Sequence, residues 1–101
     1  MIIVTGLSHH TADISIREQV AMSAEEEVDL LGSLLGLVHV GELFVVSTCN
    51  RVEIIAATVD DAEPTVSACV AACRAALLAR CERAHSSIYT HRDENAVRHL
   101  V

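Results

Sequence analysis

The chain opens on an apolar run. Met1–Leu7 (M-I-I-V-T-G-L) is rich in Ile and Val, is closed by Gly6 and a polar turn, and predicts a short buried strand. Ser8–Ile16 (S-H-H-T-A-D-I-S-I) crowds polar residues together without a clean period and reads as a loop. Ser23 with Glu26 three residues on has the form of a capping box. Val28, Leu31, Leu34 and Leu35 then recur at helical spacing, and Gly36 or Gly41 can end the helix. Leu43–Thr48 predicts a second buried strand and Glu53–Val59 a third, with the short link Cys49–Val52 between them. Asp60–Pro64 predicts a turn, Pro64 suiting a first helical turn. A long Ala-rich helix is expected from about Thr65 to Arg83, with Val66, Cys69, Val70, Cys73, Leu77 and Cys81 along one face. Ser87–Thr90 predicts a short fourth strand. Asp93 or Thr90 is the expected cap of a last helix carrying Ala96, Val97, Leu100 and Val101.

The order β-α-β-β-α-β followed by a helix predicts an α+β fold, a ferredoxin-like sandwich with a largely antiparallel sheet. The 101 residues suit one domain, with no repeats, low-complexity tracts or linker. The last helix stops on apolar residues with no Gly, Asn or Pro stop signal, so the chain is expected to be a fragment cut inside that helix.

Composition narrows this picture. Apolar residues make up 51% of the chain but include one Phe and one Tyr, so the core must be aliphatic. That hydrophobicity disfavours disorder. Fourteen acidic residues oppose seven basic ones, a net charge of −7, which argues against a dedicated nucleic-acid-binding module. All the basic residues are Arg, and five of them follow Cys73, where a local phosphate contact is expected if there is one. No apolar stretch approaches the roughly twenty residues needed to span a bilayer, and no basic n-region precedes the opening strand. No membrane partner is expected. The four Cys are therefore read in a reducing cytosol, with a cytoplasmic location.

Cys49 carries the sharpest chemistry. It lies in Ser47-Thr48-Cys49-Asn50-Arg51, at the end of an apolar strand and the start of a turn. Such an edge can expose a thiol, and the nearby Arg51 favours its nucleophilic form. Arg51 can alternatively grip a substrate carboxylate with two hydrogen bonds. The competing reading is a buried Cys that behaves as a small hydrophobe. Cys69, Cys73 and Cys81, with His85, share a helical face, but ligands spread over several turns cannot converge on one ion, so a core face is expected and no metal. His9 and His10 sit together in the first loop; His39, His85 and His91 read as loop or helix-end residues. His99 alone reads as structural, yet with a reactive Cys elsewhere it becomes a candidate partner. None of the four Gly belongs to a phosphate-cradling motif.

Three segments carry a resemblance: Gly6-Leu7-Ser8-His9-His10-Thr11-Ala12-Asp13 with Ile16-Arg17-Glu18, Val46-Ser47-Thr48-Cys49-Asn50-Arg51-Val52-Glu53, and Ala96-Val97-Arg98-His99-Leu100. In that order and spacing they resemble the N-terminal catalytic domain of glutamyl-tRNA reductase. The first segment departs from the family's Asn-His-Lys-Thr-Ala-Pro at His10, which removes a charge, and at Asp13, which removes a rigid turn. The resemblance implies the NADPH-dependent reduction of glutamyl-tRNA to glutamate-1-semialdehyde, the first step of tetrapyrrole synthesis by the five-carbon route. It implies Cys49 as the thioester-forming nucleophile, His99 as an assisting group, and Thr48, Asn50 and Arg51 around the glutamyl group. It also implies that the NADPH-binding and dimerisation domains lie outside this chain, that the whole protein is a homodimer, and that the semialdehyde aminotransferase is a possible partner. On that reading the 101 residues alone are not expected to perform the reduction. The alternatives are a non-catalytic ferredoxin-like module that binds a ligand or partner, with Cys49 structural, and a metal-binding regulator using the helix cysteines.

Overall fold

Two neighbouring strands that bury both of their faces set the architecture. β1 (Ile2–Ser8) and β3 (Arg51–Thr58) pair at the centre of a four-stranded sheet, with β2 (Val40–Ser47) and β4 (Tyr89–Arg92) at its edges. The order is β2-β3-β1-β4 and every pairing is antiparallel. The computed structural model describes residues 1–37 and 39–101. Helices α1 (Ile14–Val20), α2 (Ala24–Leu35) and α3 (Glu63–Arg80) contribute to the core on one face of the sheet, and α4 (Asp93–Leu100) packs on the other. This is the expected ferredoxin-like α+β sandwich, with α1 and α4 added to it.

Side chains alternate across a strand, and the register shows which residues share a face. Ile3 and Leu7 of β1 and Val52, Ile54 and Ala56 of β3 meet Val66, Cys69, Cys73 and Leu77 of α3 in the main core. The cysteine stripe is thus a core face. The Cys73 thiol is pushed well above its ordinary range by its hydrogen bond with Cys69 and then by burial. The opposite face holds a thinner cluster of Val4, Ile55 and Ala96, with Val46 and Tyr89 against it. One row of this face runs Val46, Glu53, Gly6, Tyr89 from β2 to β4.

The helix termini follow ordinary chemistry. The Asp13 carboxylate accepts from Ile16 N–H and caps α1. Ser23 and Glu26 form the expected capping box of α2. Arg80, in the last turn of α3, donates to the carbonyls of Val20 and Ala21 and meets Glu26 at 2.7 Å, which ties the ends of α1, α2 and α3 together.

Several expectations are corrected. The polar Ser8–Ile16 loop ends at Asp13, and seven residues from Ile14 form α1. β2 is no buried strand: it is an edge strand, and Phe44 remains 55% exposed on the thinly covered face. The core-facing residue of α2 is Leu34, with Leu30 packed beside it, whereas Val28 and Leu35 are exposed. α3 stops at Arg80; Cys81 takes extended backbone before a 3-10 turn at Glu82–Ser86, and its thiol is buried outside the helix. The fourth strand lies at Tyr89–Arg92 rather than Ser87–Thr90. Neither Asp93 nor Thr90 caps α4. Arg92 occupies that position without a side-chain bond, and Asp93 turns the chain with φ 50° straight from β4 into the helix. α4 meets the sheet through Ala96 and His99, while Val97 and Leu100 are exposed.

Two predictions follow from this packing. A Cβ on Gly6 would lie 2.8 Å from both Cα and Cγ of Glu53, contacts that backbone and a buried side chain cannot relieve. Gly6→Ala is expected to destabilise the fold by about 1–3 kcal/mol, read as a lowered urea midpoint. The hydrogen bond from Ser23 N–H, then the one from Arg80, hold the Glu26 carboxyl at about 2 against its ordinary 4.5. A lowered folded-state value means stability that is present above the ordinary value and lost as pH falls through the folded one. The urea midpoint of the parent should therefore exceed that of Glu26→Gln at neutral pH, and the gap should narrow as pH drops from 4.5 toward 2.

Candidate active site

The hairpin between β2 and β3 is closed by a threonine. Thr48 N–H donates to the carbonyl of Arg51 at 2.8 Å. The Thr48 hydroxyl oxygen accepts from the backbone N–H groups of Asn50 and Arg51, each at 3.2 Å. A short hydroxyl side chain that satisfies its own turn in this way explains the small polar residues of Ser47–Asn50. Two outside elements brace the turn. His9 N–H donates to the Asn50 carbonyl at 2.8 Å. Arg17 of α1 donates through Nε to the Cys49 carbonyl at 3.2 Å and through Nη1 to the Ala12 carbonyl at 2.8 Å.

Cys49 is therefore fixed by its backbone and open at its side chain: the residue is exposed. It borders a hollow of about 100 Å³ with Thr48 and with Ile14, Arg17, Glu18 and Ala21 of α1 and its C-terminal end. Exposure rules out the reading of Cys49 as a buried hydrophobe. His9 and His10 lie in the adjoining loop with ring centroids 3.9 Å apart, both exposed.

Arg51 begins β3 and turns toward the α4 face. Its Nη1 lies 3.3 Å from Oε1 of Glu53, and its side chain is 43% exposed while that of Glu53 is fully buried. Oε2 of Glu53 accepts the Tyr89 hydroxyl at 2.5 Å and also meets Nε2 of His99. Burial, then the hydrogen bond to Glu53, pushes the Tyr89 hydroxyl well above its ordinary range, so it stays a neutral donor. Strand geometry explains how β4 reaches β3. Adjacent strands lie about 4.8 Å apart, so Glu53 and Tyr89 are separated by about 10 Å with β1 between them. The residue between them is Gly6, which leaves the space over β1 open for the two side chains to meet. The His99 ring is flanked by aromatic rings, with Tyr89 at a centroid distance of 5.2 Å and His91 stacked at 4.5 Å.

The structure thus brings Thr48, Cys49 and Asn50 together in one turn, and joins Arg51 to His99 through Glu53. Among the described residues no hydrogen bond links Cys49 to His99. Sequence reasoning passed over Glu53, Tyr89, Gly6 and the bracing Arg17. Glu53 did leave a signal: it is a lone carboxylate inside the apolar run Val52–Ala57. The late arginines turn out to be occupied. Arg80, Arg92 and Arg98 pair with Glu26, Glu63 and Glu94, Arg74 donates to the His85 carbonyl, and Arg83 donates to the Ser15 hydroxyl.

Comparison with known proteins matches this arrangement to a family. Residues 5–101 match the family model described as Glutamyl-tRNAGlu reductase, N-terminal domain. The glutamyl-tRNA reductase of Marinobacter nauticus is 34% identical over 99% of this chain and 23% of the relative. That of Deinococcus radiodurans is 41% identical over 97% of this chain and 25% of the relative. The solved structure of glutamyl-tRNA reductase from Methanopyrus kandleri aligns with a TM-score of 0.63 over 98% of this chain and 21% of that one, at 21% identity, a likeness of fold. The chain spans about a quarter of the length of the curated relatives it matches. With all but its first four residues inside the family match, the chain belongs to the glutamyl-tRNA reductase N-terminal domain family.

Proposed function

We propose that this chain is the acyl-accepting domain of a glutamyl-tRNA reductase, with Cys49 as the group that receives glutamate from its tRNA. The observation that carries the proposal is the exposed thiol on a turn whose backbone is held by Thr48, His9 and Arg17. A nucleophile must be open to substrate and fixed in place, and this turn supplies both. Sγ attacks the ester carbonyl of glutamyl-tRNA; a C–S bond forms and the C–O bond to the terminal ribose breaks. The thiol proton ends on the departing ribose oxygen, with His99 as the group that moves it. Thr48, Asn50 and Arg51 line the glutamyl site. Arg51, half open at the start of β3, takes a carboxylate of the substrate.

Reduction of the thioester to glutamate-1-semialdehyde by NADPH is assigned to parts of the protein beyond these residues. The fit is poor here: the sheet is antiparallel throughout, and none of the four glycines opens a helix after a strand. The 101 residues alone are accordingly expected to accept the acyl group without reducing it. A cytoplasmic homodimer working beside the semialdehyde aminotransferase belongs to the same reading, as does a place at the start of tetrapyrrole synthesis. Among the described residues no helix is long and apolar enough to cross a membrane.

Two measurements test the proposal. Incubated with glutamyl-tRNA carrying labelled glutamate and no NADPH, the protein should retain label in a hydroxylamine-sensitive bond. Cys49→Ala should retain none; equal labelling of that variant would return the chain to a ligand-binding module with a structural turn. Arg51→Ala should raise KM for glutamyl-tRNA by about ten- to a hundredfold, the range expected when a charged hydrogen-bond pair worth about 1.5–3 kcal/mol is lost.

A further inference from the structure

Among the described residues Glu53 is the one carboxylate whose side chain is fully buried, and it lies behind Arg51 and His99, two of the groups that the proposed chemistry uses. Around it stand Arg51 on its own strand, Val46 on β2, Gly6 on β1, Tyr89 on β4 and His99 on α4, with the His91 ring against those of Tyr89 and His99. Both hydrogen-bonding partners, the Tyr89 hydroxyl and His99 Nε2, converge on Oε2. Oε1 accepts no hydrogen bond among the described residues and faces the Arg51 guanidinium at 3.3 Å.

An ionised carboxylate can only accept. With Arg51 beside Oε1 supplying the balancing charge, both groups at Oε2 must be donors, so His99 must carry its hydrogen on Nε2. Neutral imidazole has one donor and one acceptor nitrogen, and fixing the first fixes the second. We infer that Glu53 is the positioning residue of the site: it sets the tautomer of His99, so that Nδ1 is the nitrogen free to move a proton. The rings of Tyr89 and His91 flank the imidazole, and turning it over would put carbon against a buried carboxylate oxygen. His99 keeps 26% of its side chain open to solvent. Of the other charged residues of α4, Arg98 and Glu94 pair with each other on the exposed side, and Asp93 is exposed at its first turn. The same carboxylate holds Arg51, so one buried group aligns both the carboxylate-binding cation and the proton carrier. This inference rests on the acyl-transfer reading for the purpose of Nδ1, but its structural content does not.

The test uses side-chain nitrogen NMR on the protein with 15N-labelled histidine, the His99 signal being assigned by its loss in His99→Gln. The parent should show His99 with hydrogen on Nε2 and a bare Nδ1. Glu53→Gln, which can offer either an oxygen or an NH2 to the ring, should give a mixture of tautomers, whereas Tyr89→Phe should keep the parental one. Should Glu53→Gln fail to fold, Glu53→Asp withdraws the carboxylate by one methylene and should loosen the tautomer in the same way. A parental His99 protonated on Nδ1, or a tautomer unchanged in a folded Glu53 variant, would overturn the inference. A second arm addresses the chemistry: Glu53→Gln should slow labelling of Cys49 by glutamyl-tRNA at least tenfold while its alkylation by iodoacetamide stays within twofold of the parent. Labelling within twofold of the parent would remove the role assigned to Nδ1. Failure of the parent itself to be labelled sinks the acyl-transfer reading, and the NMR result stands or falls separately.

Discussion

The buried carboxylate of Glu53 is the constraint that the α4 side of the molecule is arranged around. Taking a carboxylate out of water carries a penalty of several kcal/mol unless partners replace the lost hydration. Here a hydroxyl, an imidazole and a guanidinium replace it, and each comes with a demand on the fold. Tyr89 must reach across β1, which needs glycine at position 6. His99 must come down on the sheet, which needs α4 to start at once after β4, and the chain accepts a positive φ at Asp93 to do so. Such networks are all-or-none in character: with one donor missing, the remaining charge is worse placed than an apolar residue would be. That makes Glu53 a poor device for stability alone and a good one for specifying where two side chains point.

The two faces of the sheet are built on different principles. On the helix face, aliphatic residues of β1 and β3 and the stripe Val66, Cys69, Cys73 and Leu77 of α3 make an ordinary core, where area removed from water is the driving term. The α4 face has three buried apolar residues in its cluster. Orientation there depends on hydrogen bonds rather than on packing. The separation is useful. A thick core holds β3 rigid, and the first residue of β3 is Arg51, so the rigidity of one face is passed to the site on the other. The hairpin turn with Cys49 is rigid for a third reason, the local bonds of Thr48 and the brace from Arg17, and depends on neither face.

What the sequence disclosed follows the range of the interactions involved. The capping box at Ser23 and Glu26 is legible because both halves lie within one turn. The turn around Cys49 is legible because threonine closes it locally. α1 is not legible: two turns carry too few residues to establish a period, and its cap, Asp13, sits in a polar string that resembles a loop. The apolar run of β2 reads as buried because hydrophobicity does not say which strand is the edge; order in the sheet does. Glu53, Tyr89 and His99 are 36 and 46 positions apart in the two hydrogen bonds that join them, so register and crossover had to be known before they could be seen as one group. Cys49 and Arg51 stood out as candidates from their own neighbours and the resemblance to the family added weight to His99, but neither spoke of what holds these residues.

The distribution of charge then takes on a meaning that the net value of −7 does not convey. Every arginine among the described residues has an internal partner, whether a carboxylate, a carbonyl or a hydroxyl. A net charge of −7 works against a grip on a phosphate backbone by charge alone. Of these partnerships, the one between Arg51 and Glu53 differs in kind. Its carboxylate is wholly buried and has two other donors, whereas its guanidinium is half open. A ligand carboxylate arriving from solvent can share Arg51 without stripping Glu53 of its remaining bonds, and among the described residues no other ion pair joins a wholly buried carboxylate to a half-open guanidinium. On the proposed acyl-transfer reading, Arg51 is therefore matched to the small acidic end of a substrate rather than to a polyanion.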